Sequence, residues 1–270
     1  MKKKKNHTTL ILVLILLMGL SLLLYPSISD YWNSFHQSRS IIEYTQNVST
    51  LDTEEYKKLW NLASDYNSKL IEKNNEYVLS SDEKKEYESL LNVSDNGVMG
   101  YVEIPKIKCN LPIYHGTDES ALQVAIGHLE WTSLPVGGES THCVLSGHRG
   151  LPSAKLFTNL DELEIGDTFM LHVLDETLTY EVDQILIVEP QQTKNLKIVE
   201  GEDLCTLVTC TPYGINTHRL LVRGHRIENQ DKSVFVNADA LQIEPMVVAL
   251  GLAIPILVIL LLFVFLKGDD

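Results

Sequence analysis

Two strongly apolar runs near the ends of the chain enclose a longer and more polar middle. The first run is Leu10–Leu24, with Tyr25 behind it, and the second is Met246–Leu266. About 20 apolar residues are enough to cross a bilayer as a helix, and a proline within such a run can kink the helix without forbidding it. The pattern therefore predicts transmembrane helices at 10–25 and 246–266.

The first run is also a candidate secretory signal, because about 15 apolar residues are few for a membrane span. The residues that follow, Tyr25-Pro26-Ser27-Ile28-Ser29, lack the A-x-A pattern of a cleavage site, which favours an uncleaved signal anchor. The basic tract at 2–5 should stay in the cytoplasm by the positive-inside rule. We therefore expect a cell-membrane protein whose bulk lies outside the cell, with cytoplasmic tails at 1–9 and 267–270.

The segment 26–96 is polar and acidic, and its apolar positions recur at helical spacing. A stripe at intervals of three and four residues predicts an amphipathic helix at Thr53–Lys73, formed by Tyr56, Leu59, Trp60, Ala63, Tyr66 and Leu70. Asp52 or the residue after it can cap this helix. Ser80 and Glu83 form a capping-box pattern, which predicts a second short helix after a loop.

From the turn signal Asn96-Gly97 onward, short β-rich runs alternate with turns. Seven runs predict strands: Val98–Ile104, Ile107–Ile113, His142–Leu145, Thr168–Leu174, Thr177–Val188, Leu204–Thr209 and His218–Val222. This many short strands within 97–228 indicates a mostly β domain, either a closed barrel or a sandwich. Leu122–Gly127 is a candidate short helix, and 229–245 is a linker to the second span.

Composition and charge narrow the classes of function. The formal net charge of −14 makes nucleic acid a poor electrostatic partner. The cysteines form neither a CxxC pair nor a dense framework, so neither a zinc ribbon nor a disulfide scaffold is predicted: Cys109, Cys143, Cys205 and Cys210. We expect no cofactor and no metal ion.

The stretch Thr206–Arg226 carries the clearest candidate chemistry. Cys210 ends an apolar strand, a turn cluster follows, and Arg219 lies at the start of the next strand. His148 stands between glycines directly after another strand. A nucleophilic cysteine needs an adjacent acid–base group and a donor for the oxyanion. We therefore predict one site in which an imidazolium and a guanidinium favour the thiolate of Cys210.

Other residues fit these roles less well. Because side chains alternate along a strand, Cys205 should point away from the face of Cys210, and Cys143 is expected to pack in the core. A disulfide between Cys143 and Cys205 requires their strands to be neighbours. An alternative is a zinc site formed by Cys210, His148 and either His142 or His218, although the spacing of these residues matches no typical zinc motif.

Four strings resemble sortases, and above all the class C, pilus-assembling sortases of Gram-positive bacteria: GVMGYVEIPKI at 97–107, TSLPVGG at 132–138, VLSGHRGLPSAKLFTNL at 144–160 and TLVTCTPYGINTHRLLVRG at 206–224. The resemblance in sequence covers residues 97–226. The two flanking apolar spans resemble those of class C sortases only in their positions along the chain. The resemblance implies an eight-stranded sortase β-barrel. It also implies that Cys210 is the nucleophile, His148 the partner acid, and Arg219 the stabiliser of the oxyanion or substrate.

The resemblance further implies a reaction. A class C sortase cleaves an LPxTG-type sorting signal between Thr and Gly and joins the acyl group, through a thioester, to a lysine amine of another pilin subunit. Attachment to a cell-wall precursor is the alternative, and a non-catalytic exported scaffold or zinc-binding protein is a more distant one. Class C sortases often carry an Asp-Pro-aromatic lid over the site. The loop at 74–82 lacks this triplet, so the sequence does not predict such a lid.

Overall fold

The computed structural model describes residues 7–73 and 78–229. The predicted span 246–266, the linker from 230 onward and the tail 267–270 lie outside the described residues. The same holds for the basic tract at 2–5 and for most of the loop predicted before Ser80.

The first helix, α1, runs from His7 to Ser49 and contains Pro26. It therefore extends well beyond the predicted span 10–25, and the sequence analysis missed its second half. The missed turns carry a buried stripe at intervals of three and four residues, formed by Ile41, Tyr44 and Val48. This stripe packs against the β domain, and the packing stabilises the helix beyond the apolar run.

The two capped helices are confirmed. Helix α2 spans Thr53–Glu72, and the Asp52 side chain accepts hydrogen bonds from the backbone N–H groups of its first turn. Helix α3 spans Ser81–Ser89, and Ser80 and Glu83 form the predicted reciprocal capping box. Both helices begin where a side-chain oxygen satisfies backbone donors that have no partner within the helix.

Eight strands form the β domain: β1 Val98–Ile104, β2 Cys109–His115, β3 Ile126–His128, β4 Thr141–Ser146, β5 Thr168–Val173, β6 Glu176–Val188, β7 Asp203–Thr211 and β8 His218–Ile227. They close a barrel in the order β1-β2-β3-β4-β7-β8-β6-β5. Two of the pairings, β2–β3 and β4–β7, are parallel. The expected eight-stranded barrel is confirmed, and all seven predicted strands are present: β1 has the predicted ends, and the other six differ at one or both ends.

The prediction of a helix at Leu122–Gly127 was wrong in its position. The helical turn α4 is Glu119–Leu122, and β3 follows at Ile126–His128. This strand was missed because it has three residues and all of them are buried, so it shows no alternation of apolar and polar positions. The second strand also begins later than predicted, at Cys109, because a 3-10 turn occupies Pro105–Ile107.

The barrel has apolar side chains on both faces around β7. The interior core includes Cys205 and Leu207, whereas Val208 belongs to a separate cluster, since successive residues of a strand face opposite sides. We call this separate cluster the outer apolar strip; its buried members are Val144, Val188, Leu196, Val208 and Leu221. Leu129, Trp131 and Leu186 pack against its edges.

Candidate active site

Cys210 lies near the end of β7 on the outer face of the barrel and is half-buried. Cys205, five residues earlier, is fully buried in the interior core, as its odd offset predicts. Cys143 is buried as well and is the register partner of Cys205 on β4, so these two strands are neighbours. The structure nevertheless holds all four cysteines as free thiols.

Arg219 is the direct cross-strand partner of Cys210 in the antiparallel pair β7–β8. Directly opposed residues place their side chains on the same face, with Cα atoms about 4.5–5.5 Å apart. The Arg219 guanidinium donates to the backbone oxygens of Asn216 and His218, at 3.3 and 3.1 Å. Arg223 shares this face, but Asp183 binds its guanidinium through two hydrogen bonds. Arg219 is therefore the cation that faces the thiol.

His148 reaches the same end of the barrel through the parallel pair β4–β7. The last register pair is Ser146 with Val208, and the Gly147 N–H donates to the Val208 oxygen at 3.0 Å. His148 and Cys210 each lie two residues beyond that register pair, so they continue neighbouring strands on the same face. The three predicted residues therefore lie at the same end of the barrel, where β4 and β7 end and β8 begins.

Gly147 makes this arrangement sterically feasible. A Cβ atom added there would lie 2.7 Å from the Phe157 ring and 2.8 Å from Ile126 Cγ2. The Thr209 hydroxyl donates to the Gly147 oxygen at 2.7 Å and ties the exit of β4 to the end of β7. The glycine before His148 is therefore a packing requirement of the site.

Arg149 links two segments of the candidate site, and the sequence analysis did not identify it. Its side chain is 10% exposed and forms an ion pair with Asp161. Its second guanidinium nitrogen donates to the Thr211 hydroxyl at 3.2 Å. Arg149 directly follows His148, and Thr211 directly follows Cys210. This hydrogen bond therefore joins the segment that carries His148 to the segment that carries Cys210. The sequence Gly-His-Arg-Gly contains Arg149, but nothing in it predicts that the side chain contacts Asp161 and Thr211.

Glu119 supplies a carboxylate near the imidazole, a role for which the sequence offered no candidate. Its Oε2 atom lies 4.0 Å from His148 Nε2, an ion-pair distance longer than a hydrogen bond. Glu119 is the first residue of α4 and is far from His148 in the chain. Nothing in the local sequence could have paired them, because β3 and β4 must first associate to bring α4 beside this strand end.

His142 anchors the long β6–β7 connection to the barrel beside the outer apolar strip. It is buried, its Nδ1 atom lies 2.8 Å from the Lys197 oxygen, and its Nε2 atom lies 2.7 Å from the Thr206 hydroxyl. A carbonyl can only accept, so Nδ1 donates and Nε2 accepts in the neutral imidazole. Both nitrogens are thus occupied, which speaks against His142 as a zinc ligand. Among the described residues, no group of three or more His, Cys, Asp or Glu could hold a metal ion.

The burial of His142 predicts acid sensitivity. Desolvation lowers the pKa of its imidazole from 6.5 to about 4, and the nearby Arg223 cation adds to the effect. The unfolded chain therefore takes up this proton first as the pH falls. We expect the free energy of unfolding to drop by about 3 kcal/mol between pH 7.5 and pH 4, with almost no change from this group above pH 7.5. Urea unfolding of the protein in detergent at several pH values measures this.

A His142→Gln variant is the matched control, since an amide can both donate and accept but does not titrate in this range. The difference in stability between the two proteins should shrink as the pH falls from 6.5 to 4. A difference that does not change with pH would contradict the assignment.

Comparisons with known proteins identify the family. The sortase domain family matches residues 102–227. Sortase D of Bacillus subtilis (strain 168) is 34% identical over 131 residues, and sortase A of Streptococcus agalactiae is 30% identical over 154 residues. These matches cover 47% and 53% of this chain. The chain spans 63% and 62% of the length of these two curated relatives, which is less than two thirds.

Solved structures match a longer part of the chain. Sortase C1 from Streptococcus agalactiae is 52% identical with a TM-score of 0.70, over 71% of this chain and 100% of that chain. Sortase C from Streptococcus pneumoniae is 45% identical with a TM-score of 0.62, over 70% of this chain and 97% of that chain. Sequence identity of 52% over the full length of a solved sortase shows the family of this protein. The chain belongs to the sortase family, and its structural neighbours are class C sortases.

Proposed function

We propose that this protein is a cysteine transpeptidase that cleaves LPxTG-type sorting signals between Thr and Gly and polymerises pilin subunits. The observation that carries the proposal is the cross-strand pairing of Cys210 with Arg219 beside the exit of β4, where His148 follows. The similar sortase C from Streptococcus pneumoniae is described with pilin substrate specificity. This likeness supports a pilin as the substrate.

The reaction uses the three residues in sequence. The Cys210 sulfur bonds to the carbonyl carbon of the substrate threonine, and the Thr–Gly bond breaks as His148 gives its proton to the leaving amine. The Arg219 guanidinium stabilises the negative oxygen of the tetrahedral intermediate. A neutral lysine amine of the next subunit then attacks the thioester carbonyl, its proton passes to the now neutral His148, the sulfur leaves as the Cys210 thiolate, and an isopeptide bond forms.

The outer apolar strip borders the candidate site. Val208 precedes Cys210 by two residues on the same face, and Leu221 follows Arg219 by two. The strip therefore begins directly beside the thiol. Val208 and Leu221 are already buried against Leu196 of the β6–β7 connection, so the strip supports the wall of the site and leaves little apolar surface for a substrate to cover.

The chain is anchored in the cell membrane in this proposal. Ile11–Ser49 is the one candidate span among the described residues, and the apolar part of this helix is almost entirely exposed. With the predicted second span at 246–266, the catalytic domain lies outside the cell and both tails lie in the cytoplasm. A pilin held in the same membrane then reaches the site by lateral diffusion.

Mass spectrometry of the protein incubated with an LPxTG peptide tests the chemistry. We expect a thioester adduct on the peptide that contains Cys210, carrying the acyl part up to threonine, and none with a scrambled peptide. Purified pilin subunits then test the acceptor: a ladder of covalent multimers supports polymerisation. Adduct formation with transfer to a wall-precursor amine alone would favour the anchoring alternative, and no adduct at all would refute the proposed activity.

A further inference from the structure

Helix α1 continues without interruption from the apolar N-terminal run into the part that packs on the barrel. Asp30 is the first formally charged residue after Lys5. A span of about 20 residues that begins at Leu10 ends just before Asp30. The outer edge of the hydrocarbon layer therefore falls at a defined point of the helix, directly before this carboxylate.

At this point α1 is hydrogen-bonded to the loop that follows His148, which we call the rim loop and define as residues 149–158. The Asp30 carboxylate accepts from the Lys155 N–H at 2.7 Å. One turn later, the Asn33 amide donates to the Ser153 oxygen at 2.8 Å. Two backbone groups of the rim loop are thus fixed to the turn of α1 that leaves the apolar run.

The next residues of α1 have the character of a membrane–water interface. Tyr31, Trp32 and Phe35 are large and exposed, and aromatic side chains concentrate at the headgroup level of membranes. At about 1.5 Å per residue, Asp30 to Phe35 spans about 8 Å. One headgroup layer of a typical bilayer is about 5–8 Å thick. The exposed aromatic residues therefore cover one such layer.

We call the outer surface around Cys210, His148 and Arg219 the catalytic groove, and the rim loop borders it. The Phe157 N–H donates to the His148 oxygen at 3.1 Å, so the loop folds back on the imidazole-bearing segment. At Gly150, an added Cβ atom would lie 2.9 Å from the ring of Tyr213, which follows Cys210 by three residues. The level of the rim loop therefore sets the level of the groove.

We propose that the rim loop lies within the phospholipid headgroup layer, so that the catalytic groove opens at the membrane surface. This inference rests on the membrane anchorage in the proposed function and adds an interaction surface to it, whose partner is the lipid headgroup. A sorting signal close to its own membrane anchor enters such a groove without leaving the bilayer surface. The rigid connection through α1 keeps the groove at one height.

Fluorescence quenching of the full-length protein in lipid nanodiscs tests this depth. The background variant carries Cys210→Ala and Cys109→Ser, while the other two cysteines are buried in the barrel. A dye is attached at Ser153→Cys and, as the matched control, at Asp175→Cys. The Leu174 N–H donates to the Tyr44 hydroxyl, and Tyr44 lies 14 residues along α1 from Asp30, about 21 Å by helical rise.

With nitroxide-labelled headgroups, the dye at Ser153→Cys should lose about half of its emission or more, because it lies at the headgroup level. The dye at Asp175→Cys should lose almost none. Equal losses at the two positions, or no loss at Ser153→Cys, would overturn the inference. Pro152→Cys gives a second reading at an exposed position of the rim loop if Ser153→Cys does not fold.

Incubation of the unmodified protein with an LPxTG peptide in the same nanodiscs separates this inference from the proposed function. Strong quenching without a thioester adduct would refute the activity and leave the depth assignment standing. Thioester formation without quenching at the rim loop would refute the depth assignment and leave the proposed activity standing.

Discussion

Replacing Cys210 with alanine should abolish thioester formation and peptide cleavage, with a loss of about 10⁴-fold or more in rate. In the proposed reaction the sulfur bonds to the substrate carbonyl, and no other described cysteine shares its face at this end of the barrel. Its half-buried position on the outer face leaves it accessible, whereas Cys143 and Cys205 are enclosed by the core. Single-turnover cleavage of a fluorescent LPxTG peptide measures the loss.

Cys109→Ala is the matched control for this experiment. Cys109 opens β2, and burial raises the pKa of its thiol to about 12, so it is a poor nucleophile at neutral pH. Its removal should leave the cleavage rate nearly unchanged. A Cys210→Ala protein that still cleaved the peptide at a comparable rate would show that the nucleophile lies elsewhere.

Replacing His148 with alanine should slow acylation by about 10²–10⁴-fold, the usual contribution of a positioned general acid. The imidazole gives its proton to the leaving amine, and without it that amine departs as a far poorer leaving group. Single-turnover acylation with an LPxTG peptide isolates this step from the later attack of lysine. An ester substrate of the same sequence, whose leaving group needs no strong acid, should lose much less.

His172→Ala serves as the control for this second substitution. His172 lies on β5, stacks on Tyr101 and is 3.2 Å from the Glu103 carboxylate, on a strand that pairs with neither β4 nor β7. Its loss should leave acylation within a small factor of the unmodified protein. If His148→Ala reduced the peptide and ester rates equally, the acid role would be refuted and a structural one favoured.

Local signals in the sequence were enough to predict much of the fold. Asp52 and Ser80 each begin a helix because their side chains reach backbone donors within three residues, which makes the cap readable without tertiary information. Cys210 was recognisable for a similar reason. An apolar run before it and a Pro-Gly-Asn cluster after it mark the end of a strand.

Features that depend on distant contacts were missed. The three residues of β3 become a strand only because β2 and β4 lie on either side of them. The second half of α1 carries an apolar stripe at helical spacing that the sequence analysis did not read, and only distant contacts show that Tyr44 and Val48 pack on the barrel. Glu119 and Arg149 take their positions from partners far away in the chain.

The parallel pairing of β4 with β7 has a consequence for biogenesis. The two strands are separated by two others in the chain, so their pairing needs a long crossover and forms late compared with local hairpins. An emerging polypeptide that ends before β7 carries His148 without its thiol partner, and one that ends before β8 exposes Cys210 without Arg219. In the proposed mechanism, acyl transfer therefore requires the last strand, and we expect truncated or half-exported chains to be inactive.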